Sequence, residues 1–205
     1  MKHILHRLVQ MLLGWGFVGL IYRLADQWQA AGVVLSPGWI DTLIPFSPMA
    51  VWPYLSFFAL LPMAYLGCPH ERLQWLRTSM QLSALCAGLV FVLWPTTLAY
   101  PVNPGAGISA AVLNQLIRID SAQNCLPSLH MALSVLAIQA LHDRRRPWRN
   151  ALLWAWGALI AFSVIQLRRH LFIDLVAGTG LGLGVGWLCR ARCYRAPSTH
   201  QGVTP

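Results

Sequence analysis

Two short stretches carry side chains that could do chemistry: Pro127-Ser128-Leu129-His130 and His170-Leu171-Phe172-Ile173-Asp174. Each sits where a polar loop enters an apolar run. His170 and Asp174, at i and i+4, stack on one helix face, close enough for a carboxylate to hold an imidazole nitrogen. That contact fixes the tautomer and makes the other nitrogen a better base or nucleophile. A His-Asp pair that only satisfies its own hydrogen bonds would show the same spacing. His130 follows a proline and a serine, residues favoured around the first turn of a helix. The free N–H groups there suit phosphate oxygens, and Ser128 adds a hydroxyl donor. His130 is then placed to protonate a leaving oxygen. Arg168 and Arg169 immediately precede His170. Arginine binds phosphate bidentately and stays charged, although two flanking arginines can also snorkel to a membrane surface. Asn124 either caps the helix or binds a headgroup. Together these residues have the spacing that phosphoryl transfer through a phosphohistidine needs.

The elements that must position them are apolar. The chain has 205 residues, of which 57% are hydrophobic and 10% charged; a soluble domain carries about 25% charged residues. The deficit predicts one polytopic membrane domain over residues 1–205, with no second domain, linker or repeat. Ionisable residues at the edge of a bilayer are costly to place and point to function. Hydropathy predicts six spans, at 8–24, 50–66, 79–98, 127–141, 151–167 and 171–189, hence an all-α bundle of six transmembrane helices. Several are shorter than the ~20 residues a perpendicular helix needs, so the helices should extend into the loops. Tryptophans such as Trp28, Trp52, Trp94 and Trp187 mark span ends. The basic start and the apolar run from Leu8 to Tyr22 have the shape of a signal peptide. No small-x-small cleavage site precedes Arg23 and Asp26, so a retained first span is expected.

The basic residues are 14 arginines and Lys2. Counted by loop, eleven fall on one side of the six spans and four on the other. The positive-inside rule puts both termini in the cytoplasm. Spans four and six then run inward, and both special stretches land at the outer ends of their helices. The third loop, 99–125, contains Pro101, Pro104, Gly105 and Gly107, then a helical period at Ile108, Val112, Leu113, Leu116 and Ile117, ended by Arg118 and Asp120. It reads as a short interfacial helix able to cap a site, or as an ordinary loop. Gly178, Gly180, Gly182, Gly184 and Gly186 form a small-xxx-small pattern that lets another helix approach closely. The five cysteines form no CxxC pair and complete no metal site. No soluble basic face interleaved with aromatics suggests nucleic acid.

Asn124-Cys125-Leu126-Pro127-Ser128-Leu129-His130 resembles the second motif, P-S-x-H, of the type 2 phosphatidic acid phosphatase superfamily. Ser163 through Asp174 is similar to its third motif, S-R-x5-H-x3-D, and Gly178 also fits. The resemblance covers about 40–188 and implies a six-helix membrane fold with short interfacial helices. It implies that His170 is the nucleophile, Asp174 its activating partner, and His130 the acid for the departing group. Ser128 would bind phosphate oxygens, with no metal or other cofactor. The first motif, K-x6-R-P, is absent, and the third-motif arginine is Val164 here. Arg168, Arg169 and Arg118 are the outer-side candidates to replace those cations, with Arg23 more remote. Phe91-Val92-Leu93-Trp94-Pro95-Thr96-Thr97 and Ile44-Pro45-Phe46 look more like the branch containing inositol phosphorylceramide and sphingomyelin synthases. The expectation is a lipid phosphatase acting on a lipid phosphate or pyrophosphate at the periplasmic face of a bacterial inner membrane. The alternatives are a phosphotransferase that moves a phospho-headgroup between lipids, and a non-catalytic membrane protein.

Overall fold

The computed structural model describes residues 2–100 and 105–193, with side chains to Ala191. Pro101, Pro104, Arg195 and the side chains of Arg192 and Cys193 lie outside the described residues. In chain order the elements are helix α1 (Lys2–Trp28, with a π-helical turn at Leu12–Gly16), strand β1 (Val33–Leu35), α2 (Trp39–Leu43), α3 (Pro48–Gly67) and α4 (His70–Leu93). Then come β2 (Thr96–Leu98), α5 (Ile108–Ile119), α6 (Leu129–Leu141), α7 (Pro147–Gln166) and α8 (Phe172–Cys193). Five of these, α1, α3, α4, α7 and α8, are long and apolar enough to cross a membrane. That fits an integral membrane protein.

The expected fourth span is different. Helix α6 has 13 residues, about 20 Å at ~1.5 Å per residue, against a hydrocarbon core of about 30 Å. Ten of its residues are buried, and it packs on α3, α4, α7 and α8. An apolar helix wrapped on all sides by protein needs no lipid-matched length of its own. Its N-terminus therefore begins inside the bundle, and His130 lies in its first turn.

The expected span 79–98 is also redrawn. Helix α4 starts nine residues earlier, at His70, and stops at Leu93. Pro95 follows closely and cannot supply an N–H to continue the helix. Thr96–Leu98 pairs instead in parallel with Val33–Leu35, so the fold is mostly rather than wholly helical. This small sheet anchors the segment leading into α6: Thr96 bridges to Asn124, and its hydroxyl accepts the Leu126 N–H at 3.0 Å.

Helices α8 and α6 are in backbone contact. The Ser128 N–H donates to the Asp174 carbonyl at 3.0 Å. A Cβ at Gly178 would overlap the Ser128 carbonyl oxygen, and one at Gly182 would lie 2.6 Å from the Ala132 carbonyl oxygen. Here glycine permits an approach that no side chain tolerates. At the far end of α6 the arginines have structural work. Arg72 donates to the carbonyls of Ala140 and His142, at 3.1 and 2.6 Å. Arg149 donates to Leu141 O at 2.9 Å, and Arg7 to the carbonyls of Tyr65 and Cys68 at 2.8 and 2.9 Å. These cations sit on helix C-terminal carbonyls, where positive charge is favourable.

Glycine substitutions should separate by position. Gly182→Val should destabilise the protein by about 1–3 kcal/mol through overpacking. Gly180→Ala, which meets nothing within 4 Å, should be neutral or stabilising by up to about 1 kcal/mol. Thermal unfolding of both variants in detergent measures the difference.

Candidate active site

Two loop-to-helix junctions, the segment 120–128 entering α6 and the turn 167–171 entering α8, meet the last turns of α1 at one end of the bundle. The His130 and His170 rings lie 5.7 Å apart between centroids, inclined at 66°. Both line a largely apolar cavity of about 450 Å³. Its walls come from α1 (Trp15, Val18, Tyr22), α3 (Tyr54, Phe57, Phe58), α5 (Leu116, Ile119) and α6 (Leu129, Leu133). His130 is gripped by aromatic rings, with Tyr54 at 4.9 Å and Phe57 at 4.7 Å.

Asp174 is fully buried. Its Oδ2 accepts the Leu171 N–H at 2.9 Å and lies 3.4 Å from His170 Nδ1. The first contact is a good hydrogen bond; the second is longer than the usual 2.7–3.2 Å range for N–H···O. The carboxylate thus closes the first turn of α8 and stands against the imidazole at once. Asp174 Oδ1 and His170 Nδ1 have no hydrogen-bond partner.

Ser128 occupies the residue before α6, but its hydroxyl makes no capping bond. The side chain is wholly buried, and its Oγ has no partner. A buried hydroxyl normally finds one; this one stands at the entry to α6, two residues before His130. Asn124 shows the same pattern: its amide nitrogen donates to Tyr22 O at 3.1 Å, and its Oδ1 is unpartnered.

Arg169 is buried and fixed by Asp120, with Nη2 to Oδ2 at 2.9 Å. The same nitrogen donates to Ser121 O at 3.2 Å, and the guanidinium lies over the Tyr100 ring at 4.8 Å. Its Nε has no partner. Asp120 also accepts the Tyr22 hydroxyl at 2.6 Å, the Ser121 N–H at 3.0 Å and, at the limit of range, the Tyr54 hydroxyl at 3.5 Å. Burial alone would raise the Asp120 carboxyl. Arg169, His130 and the Tyr22 hydroxyl outweigh it and hold the group below its ordinary value. Burial likewise works against the Arg169 charge, and Asp120, Tyr100 and Tyr54 together outweigh it and hold the guanidinium above its ordinary value.

The other arginines named from sequence go elsewhere. Arg168, at a left-handed φ of 57°, donates to Asp41 O at 2.6 Å and Ile44 O at 2.8 Å. It holds the segment before α3 and does not line the cavity. Arg118 is exposed and does not line it either. Arg23, the remote candidate, does line it. The third-motif arginine position, Val164, is a fully buried core residue. Tyr22, Tyr54 and the role of Asp120 were not visible in sequence. Asp120 ends a periodic segment, but nothing local ties it to residue 22 or 169. Among the described residues, no cluster of His, Cys, Asp and Glu could hold a metal ion.

A family model for the PAP2 superfamily matches residues 26–188. The match begins just after Tyr22 and Arg23 and takes in both histidine motifs. No curated protein and no solved structure matches the chain.

The Asp120–Arg169 pair has a definite pH signature. A carboxyl held low in the folded state contributes stability that is complete above its unfolded value, about 3.9. That contribution is lost as pH falls through the lower folded value. The melting-temperature gap between wild type and Asp120→Asn should therefore be flat from pH 8 to about 5 and close below about 4. Thermal unfolding across that range tests it.

Proposed function

The chain belongs to the PAP2 superfamily, and on that premise we propose that it is a membrane lipid phosphatase working through a phosphohistidine on His170. The observation that carries this reading is the pairing of His130 and His170 across 5.7 Å in one apolar cavity, with Asp174 behind His170. Asp174 faces Nδ1, so Nε2, on the other side of the ring, is the nucleophile. The substrate phosphorus sits between the two rings. Ser128 Oγ, the free amides of the first turn of α6 and Arg169 take its oxygens.

Nε2 of His170 attacks phosphorus, and the bond from phosphorus to the lipid oxygen breaks. His130 gives that oxygen a proton. Water then enters, loses a proton to His130 and attacks the phosphohistidine. The P–N bond breaks, and phosphate leaves with His170 restored. The lipid chain lies along Trp15, Phe57, Phe58 and Leu133. The site faces the outer leaflet: Arg7, Arg72 and Arg149 cluster at the opposite end, which the positive-inside rule assigns to the cytoplasm. If an alcohol of a second lipid replaces water, the same steps make a headgroup phosphotransferase.

A panel of labelled lipid phosphates and phospholipids, given to the purified protein in micelles, tests this. His170→Ala and His130→Ala should each lower turnover by at least ~10². Wild type, but not His170→Ala, should trap an acid-labile phosphoprotein. Label released as phosphate means hydrolysis, and label in a new lipid means transfer. Turnover unaffected by either histidine would remove the catalytic assignment. Arg23→Ala, altering a cation at the cavity wall, should raise KM several-fold with kcat nearly unchanged, as expected for a group that binds ground and transition states alike.

A further inference from the structure

We propose that Asp120 determines substrate specificity by setting the charge of the phosphate this site accepts at one negative charge rather than two. This rests on the reading of the cavity as a phosphate site. Arg169 is the only buried lysine or arginine among the described residues, and its Nη2 is already on Asp120 at 2.9 Å. The carboxylate is held in place by donors from two other helices, Tyr22 on α1 and Tyr54 on α3, and by the N–H of the adjoining Ser121. It lines the same cavity as His130 and His170.

The charges at the histidine pair are thus Asp120 on the cavity wall and Asp174 behind His170, against Arg169, which Asp120 already holds, and Arg23. A further buried carboxylate, Asp41, accepts the Phe172 N–H at 2.7 Å. Arg168 is committed to backbone carbonyls, and Arg23 is exposed. A dianion in this place meets the Asp120 charge with twice the repulsion that a monoanion does. The weakly polar surroundings make that difference large. Arg169 still has one buried donor without a partner, Nε, which suits a single oxyanion contact. A singly charged phosphate has two chemical sources, a phosphodiester and a monoester carrying one proton.

The test uses small tetrahedral anions of fixed charge at pH 8. Butyl phosphate is then a dianion, since its second pKa is about 6. Butyl sulfate has the same shape and one charge, and diethyl phosphate is a singly charged diester. Stabilisation of the purified full chain against thermal unfolding reports the affinity of each. Wild type should bind butyl sulfate at least about tenfold more tightly than butyl phosphate. Asp120→Asn should bring the two within about threefold, and Arg169→Gln should weaken both. Diethyl phosphate that binds like butyl sulfate assigns the diester; its exclusion, with the sulfate preference intact, assigns the protonated monoester. A wild-type preference for butyl phosphate, a ratio unmoved by Asp120→Asn, or stabilisation by neither butyl anion overturns the proposal. The binding ratio needs no turnover. A protein with the ratio but no His170-dependent activity would sink the proposed reaction and leave the charge selection standing.

Discussion

The backbone contact between α6 and α8 is the constraint on which the site depends. His130 and His170 are 40 positions apart in sequence and belong to different helices. Their rings meet because Gly178 and Gly182 let α8 lie on the carbonyls of Ser128 and Ala132. The Ser128 amide then ties the start of one helix to Asp174 in the first turn of the other. A side chain at either glycine would push the helices apart. The two imidazoles would then no longer share a cavity. The glycine face of α8 therefore sets the geometry of the histidine pair as well as of helix packing.

Around that contact, polar groups are divided between two tasks. At the far end of α6, Arg7, Arg72 and Arg149 are spent on helix-end carbonyls. At the near end several buried polar atoms have no partner: Ser128 Oγ, Asn124 Oδ1, Arg169 Nε, His170 Nδ1 and Asp174 Oδ1. Of these residues Asn124 and His170 line the cavity. Buried polar groups usually find partners. Of these exceptions, Ser128 Oγ and Arg169 Nε are donors, whereas Asn124 Oδ1 and Asp174 Oδ1 are acceptors and His170 Nδ1 faces Asp174. Unpartnered buried hydroxyls also occur within the bundle, at Ser79, Ser83 and Ser134. The Asp120–Arg169 pair stands at the near end, joined at 2.9 Å and with only Arg169 Nε unpartnered. It fixes the local charge before any ligand arrives.

The N-terminal helix is drawn into this arrangement in an unexpected way. Tyr22 holds Asp120, Arg23 lines the cavity and Trp15 walls it. The PAP2 superfamily match starts only at residue 26. The first helix thus supplies site groups from outside the matched region. It brings one cation, Arg23, to the cavity wall, while its Tyr22 hydroxyl is engaged with Asp120.

Much was legible in the residues themselves. Apolar runs located the existence of the long helices, because hydropathy acts locally, but not always their ends: α4 begins nine residues before the expected span and stops before Pro95, which that span had crossed. The four-residue spacing of His170 and Asp174 pointed to their closeness, but not to its form. His170 lies two residues before α8 begins, and Asp174 in the first turn of that helix meets it across the entry turn rather than along one helix face. The meeting of the two motifs was readable only as a shared side of the membrane. The 5.7 Å separation came from inter-helix packing. The short, buried α6 and the β1–β2 pairing were likewise set by neighbours distant in sequence. So was the fate of the arginines. Arg168 and Arg169 are adjacent and chemically identical, yet one holds a loop and the other pairs with Asp120. Only the path of the backbone between α7 and α8, with its left-handed residue at Arg168, decides which guanidinium turns toward which partner.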